Sequence, residues 1–242
     1  MIELLGVGIP RRDHGWLLHR ICVTLGAGDL TVVLSADVEE RRALLDAIAG
    51  RRLPDQGRVW IDRLPVMPDS RIRARQLCGD IDPIDGLLLP RRSVSWNALT
   101  WDRRPRALGC LLRLPRRRER DAVQAALERV GLRARTGEQV AGLSAFDRLR
   151  LRVARALARR PRYLVVRDPD GGLSVEETVG LLGLLRMVAR SDRLGVVVSL
   201  AEGAAGRGVA DRVLLLRDGR LLPERHFGFQ RRPTVLDVDR GA

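Results

Sequence analysis

Short apolar runs alternate along this chain with helix-length periodic segments, and that alternation limits the fold more than any other feature of the sequence. Strands are expected at Ile2 to Val7, Ile21 to Leu25, Leu30 to Ser35, Val59 to Ile61, Tyr163 to Arg167, Leu194 to Leu200 and Val213 to Leu216. Helical patterns fall at Glu39 to Ala49, Asp121 to Val130, Ala145 to Arg159, Val175 to Arg190 and Glu202 to Val209. Strands separated by helices are the signal of βαβ units and a parallel sheet. Aromatic residues are only 3% of the chain, so Leu, Val, Ile and Ala must fill the core, which suits helices packed on a buried parallel sheet. The class is α/β. At 242 residues the chain is long enough for one domain, with or without a subdomain.

Turn chemistry punctuates this pattern. Pro54 and Gly57 bracket a turn, and Asp218 with Gly219 make a two-residue hairpin between Arg217 and Arg220. The stretch from Gln76 to Gln139 has a different texture, with Pro83, Pro90, Pro105, Pro115, Trp96 and Trp101, and reads as a helical insertion. No periodicity marks the segment from Pro223 to Ala242, which reads as a docked extension. There is no lysine: all 44 residues in the Lys+Arg count are arginine, and the net charge is +14. Such a charge suits an acidic partner such as nucleic acid or an anionic membrane surface. Arginine spread through every segment fits a compositional bias equally well. The densest run is Arg116, Arg117, Arg118 and Arg120, at the start of a helical pattern. Cys22, Cys78 and Cys110 are too few and too scattered for a disulfide framework or a zinc site, which fits a reducing cytoplasm. His14 and His19 have no third ligand in view, so no metal site is expected. Neither a signal-peptide pattern nor an apolar run of membrane-spanning length is present.

Two stretches carry more specific information. Leu143 to Leu173 reads LSAFDRLRLRVARALARRPRYLVVRDPDGGL, and Ala210 to Leu221 reads ADRVLLLRDGRL. With AIAG at Ala47 to Gly50, DQGRVWID at Asp55 to Asp62 and LLP at Leu88 to Pro90, the chain resembles the ATP-binding subunit of ABC transporters. The resemblance runs from about Ile2 to Leu222. It implies a P-loop NTPase-like parallel sheet core with an antiparallel β subdomain and an inserted helical subdomain at about 76–160. The nucleotide-binding-like domain would then be 1–222, with 223–242 as a C-terminal extension.

The same resemblance assigns positions to the nucleotide chemistry, and there the residues differ from the family pattern. In that pattern a glycine-rich loop wraps phosphates with backbone N–H groups, a lysine reaches the terminal phosphate, and a Ser/Thr hydroxyl holds magnesium. The glycine positions fall on Ser35, Val38 and Glu40, the lysine on Arg41, and the Ser/Thr pair on Arg42 and Ala43. The metal-binding aspartate falls on Arg167, and the glutamate that activates water falls on Asp168. In the signature LSGGQ, only Leu143 and Ser144 remain. Leu200 takes the switch histidine's place, Ile84 the glutamine's, and Arg12 lies near that of the adenine-stacking aromatic.

The replacements have a logic of their own. Asp37 and Glu40 are spaced as a capping box, and with Glu39 they place three carboxylates at the positive end of a helix. A phosphate about 4 Å from one of them meets a repulsion of about 4 kcal/mol at an effective dielectric near 20. A guanidinium at position 167 cannot ligate a cation, and is expected to pair with Asp37, Glu39 or Glu40 across the vacated site. Ser144 is expected to act as a helix N-cap. The implied function is an ATP-binding-type subunit with impaired hydrolysis and weak ATP binding. Its implied partners are a second nucleotide-binding domain and a membrane permease, at the inner face of the cell membrane. The alternatives are a basic protein binding nucleic acid or an acidic partner on the same scaffold, and an atypical active ATPase.

Overall fold

The computed structural model of the chain describes residues 1–12, 14–83, 88–99, 116–201, 206 and 208–222. Its centre is a six-stranded sheet in the order β10-β9-β3-β8-β7-β6, built from β3 (Leu30–Leu34), β6 (Cys78–Ile81), β7 (Tyr163–Val166), β8 (Gly195–Leu200), β9 (Arg212–Arg217) and β10 (Arg220–Leu221). All neighbours are parallel except the β9–β10 hairpin. The second sheet is antiparallel, ordered β2-β1-β4-β5, from β1 (Ile2–Pro10), β2 (Trp16–Leu25), β4 (Gln56–Ile61) and β5 (Leu64–Pro65).

The buried strands explain why the two sheets and the helices form one structure. Every residue of β3 is buried. Because side chains alternate across a strand, Leu30, Val32 and Leu34 face one hydrophobic cluster and Val33 faces another. Val196 and Val198 of β8 join the first, and Val197 joins the second. The first cluster is closed by α3 (Val94–Leu99), α4 (Arg117–Arg129), α5 (Ala145–Leu157) and α6 (Val175–Asp192). The second is closed by α1 (Val38–Ile48) and the antiparallel sheet. The parallel sheet is thus covered on both faces, as a near-continuous apolar sequence in its strands requires.

Glycine has a specific role where β1 and β4 cross. Gly57 has φ +77°, and a Cβ there would lie 2.4 Å from the carbonyls of Leu5 and Gly6, beside a register shift in the β1–β4 ladder. At Asp218 and Gly219 the φ values are +51° and +71°, the sign a type I′ hairpin needs at both central residues.

Several elements differ from the sequence expectation. The four-residue strand β6 and the short helices α2 (Arg71–Gln76) and α3 were not anticipated. Helix α4 starts before Asp121, because Glu119 accepts a hydrogen bond from the Arg116 N–H at 3.0 Å and so sets the helix entry upstream. The expected helix at Glu202 to Val209 is not supported at Gly206, Gly208 and Val209, which form turns, as glycine's weak helix propensity favours; positions 202–205 and 207 lie outside the described residues. So do Ile84, Trp101, Pro105, Cys110, Pro115 and the extension 223–242. No helix among the described residues is long and apolar enough to cross a membrane.

Candidate nucleotide site

Ligands of open parallel sheets bind beyond the carboxyl ends of the strands. Here that edge gathers Ser35 after β3, Arg167 and Asp168 after β7, Ser199 near the end of β8, and Asp82 just past β6. A cleft lined by Arg42, Asp82, Pro83, Arg167, Asp168 and Ser199 opens between them.

The helix facing this edge starts at Asp37. Asp37 has extended backbone angles, and its Oδ1 accepts from the N–H groups of Glu39 (2.7 Å) and Glu40 (3.3 Å). Half of the expected capping box therefore forms. The other half does not, because the buried carboxylate of Glu40 turns away from Asp37. It accepts from Ser35 Oγ at 3.0 Å and from the Gly219 N–H of the β9–β10 hairpin at 2.8 Å. Arg11 reaches over from the end of β1 to Asp37 at 2.5 Å and to Glu39 at 3.5 Å. Burial pushes the Asp37 carboxyl upward, but Arg11 and the two backbone donors outweigh it and hold it below the usual carboxylate range.

Arg41 follows one turn into the helix and is 5% exposed. Its Nε donates to Asp168 Oδ1 at 2.7 Å and its Nη1 to the Ser35 carbonyl at 2.5 Å. Asp168 has left-handed backbone angles, φ 38° and ψ 53°. Ser199 holds it from two sides: its Oγ donates to Asp168 Oδ1 at 2.7 Å and accepts from the Asp168 N–H at 3.0 Å. A non-glycine residue in this conformation needs its surroundings to fix it, and the Ser199 and Arg41 contacts supply that.

Arg167 does not meet the loop carboxylates, contrary to the sequence expectation. Its fork is taken by Asp80, with Nε to Oδ1 at 3.0 Å and Nη2 to Oδ2 at 3.1 Å. Its Nη1 lies 3.0 Å from Asp46 Oδ1 but without hydrogen-bond alignment, so this buried nitrogen has charge contact and no hydrogen bond. Arg51 also pairs with Asp80. Burial works against the Arg167 charge, yet the Asp80 hydrogen bonds and both carboxylates hold its pKa above the ordinary arginine value. Asp37, Glu39 and Glu40 already have Arg11, Ser35 and Gly219 as partners, which is the physical reason the expected pairing is absent.

The other assigned positions scatter. Arg42 is exposed and lines the cleft, Val38 is 47% exposed, and Ala43 is buried in the core. Ser144 caps α5 as expected, accepting from the Asp147 N–H at 3.0 Å, and is not among the cleft residues. Asp147 at that terminus pairs with Arg135 and, at 2.9 Å, with Arg150. Arg12 is exposed and Leu200 is buried. Sequence reading missed Arg11, Asp46, Asp80 and Ser199. Asp80 lies in the unrecognised β6, and its signal was the one carboxylate in the run CGDI.

No protein-family model matches the chain. Among curated proteins, the aliphatic sulfonates import ATP-binding protein SsuB of Cupriavidus pinatubonensis is 32% identical over 227 residues, covering 92% of this chain and 68% of that protein. The chain belongs to the ABC transporter ATP-binding family. This cassette is also 32% identical to the phosphonates import ATP-binding protein PhnC 1 of Natronomonas pharaonis, over 86% of each chain. In fold, it is similar to cbiO1 of Clostridium perfringens, described as part of the ABC transporter complex cbiONQ. The TM-score is 0.79 at 20% identity, over 92% of this cassette and 86% of that chain.

Proposed function

We propose that this chain is a catalytically impaired ATP-binding-type subunit, which pairs with a second nucleotide-binding domain beneath a membrane permease. The observation that carries this reading is the Arg41–Asp168 pair, buried on the arginine side and held at 2.7 Å. On the assignment by resemblance, Arg41 stands where a lysine would bind phosphate and Asp168 where a carboxylate would activate water. Each is bound to the other. The remaining groups are committed too: the N–H groups of Glu39 and Glu40 to Asp37, and Asp46 and Asp80 to Arg167. Arg42 alone of the assigned loop cations faces the cleft without an ion-pair partner among the described residues.

Magnesium would bring Lewis-acid stabilisation of phosphoryl charge to such a site. The residues here do not fit it, since the position assigned to the metal carboxylate is a guanidinium bound to carboxylates. The chain's own charges therefore stabilise the region that a nucleotide would otherwise organise. Peripheral attachment at the inner membrane face follows from the permease partnership. Calorimetric titration with ATP, with and without magnesium, tests the reading. No saturable heat below about 1 mM, equivalent to less than about 4 kcal/mol of binding, is expected. Micromolar Mg-ATP binding, with turnover above that of Arg41→Ala and Asp168→Ala variants, overturns it in favour of an active ATPase.

A further inference from the structure

The first turn of α4 presents Arg116, Arg117, Arg118 and Arg120, all exposed. None of these makes an ion pair with a described carboxylate, whereas Arg41, Arg135, Arg167 and Arg186 elsewhere in the molecule each hold one. The placement also runs against the helix. The amino end of a helix carries partial positive charge, so cations there are unfavourable and carboxylates favourable. Glu119 is the one carboxylate of that turn, and it is engaged with the Arg116 N–H. Four exposed guanidinium groups thus stand at the positive pole of a helix with no ion-pair partner among the described residues.

We infer that this turn is a docking surface for an anionic bilayer, in which guanidinium groups meet phosphate headgroups directly. Two features favour a membrane over a nucleic acid. The cluster contains no aromatic residue on which a base would stack, a standard component of single-strand binding. Among the described residues it is also confined to one helical turn, too short to track an extended phosphate backbone. The inference shares only the membrane location with the proposed function; it needs neither the loss of ATP binding nor the permease, so each can fail alone.

The test is co-sedimentation of the full chain with vesicles of phosphatidylcholine, alone or mixed in equal parts with phosphatidylglycerol. Each arginine near an anionic surface strengthens binding by about fivefold, and screening reduces this in salt. Replacing Arg116, Arg117, Arg118 and Arg120 with glutamine should weaken binding to the anionic vesicles at least about tenfold. A control removes the same charge from Arg20, Arg58, Arg63 and Arg220, which are exposed and lie outside α4. It should keep most of the binding. The α4 variant should unfold no earlier than the parent, because the dipole conflict is relieved. Equal losses in the two variants, or equal binding to pure phosphatidylcholine, sink the proposal. So does an α4 variant that loses binding to duplex DNA while retaining its binding to vesicles.

Discussion

Arg167 is the buried centre of a charge cluster with Asp46 and Asp80. It is 5% exposed, and its Asp80 contact is bidentate. Breaking a buried pair by deleting one partner leaves the other charge uncompensated, at a cost of about 3 to 5 kcal/mol. Arg167→Ala should lower stability by about 3 kcal/mol in urea denaturation, since Arg51 still answers Asp80 in part. A loss under about 0.5 kcal/mol, the scale of an ordinary surface change, would show that the cluster holds nothing together. Cys78 makes a second residue-level case. Burial, then the charges of Asp80 and Asp62, push its thiol up to about 12. It should stay unmodified by thiol reagents at pH 8 in the native protein, while exposed Cys22 reacts. Mass spectrometry of tryptic peptides would distinguish the two.

At the level of elements, α1 is fastened at its start to β3 and to the β9–β10 hairpin through Glu40, which is 4% exposed. Glu40→Ala leaves the Gly219 N–H without an acceptor, and the expected loss is about 1 to 3 kcal/mol in denaturation. Hydrogen exchange at Gly219 should accelerate by more than at Gly195 in the distant end of β8. What the sequence revealed at this scale follows a physical rule. Elements defined by their own periodicity were legible: the buried strands β3, β7 and β8, the helices α5 and α6, and the hairpin at Asp218 and Gly219, whose turn chemistry is local. Elements defined by their neighbours were not. β6 is four residues with a glycine and an aspartate, and it is a strand because β7 pairs with it along its length. The site divides in the same way. The caps at Asp37 and Ser144 are local and were readable, whereas Arg41 and Asp168 were singled out only through the family resemblance. Their bond spans 127 residues of chain, and Arg167 pairs with Asp46 and Asp80 rather than with the loop carboxylates by geometry that no spacing encodes.

The whole molecule has its own pH signature. Asp211 is pushed up by burial, but the Leu30 N–H, Arg186 and Arg190 bring it below its ordinary value, and Asp62 behaves likewise under the amino terminus, Tyr163 and Arg162. A carboxyl depressed by folding adds stability above its unfolded value of about 3.9, and that contribution is lost as pH falls through the lower folded value. Asp29 has the opposite sign, raised first by burial and then by Asp211. Its ionised form is penalised at neutral pH, and acidification relieves the penalty. Asp29→Asn should therefore raise the urea midpoint at pH 7, with the gain vanishing below about pH 4. An unchanged difference between the two proteins across that range would contradict the assignment. The Arg41–Asp168 pair bears on what substitutions the cassette can accept in sequence. Changing Arg41 alone strands Asp168 beside Ser199, and changing Asp168 alone strands a buried guanidinium. Arg167 sets the same condition with Asp46 and Asp80. Replacing both members of either cluster one at a time therefore passes through an intermediate less stable than either end, whichever partner changes first, so the paired residues are expected to change together or not at all.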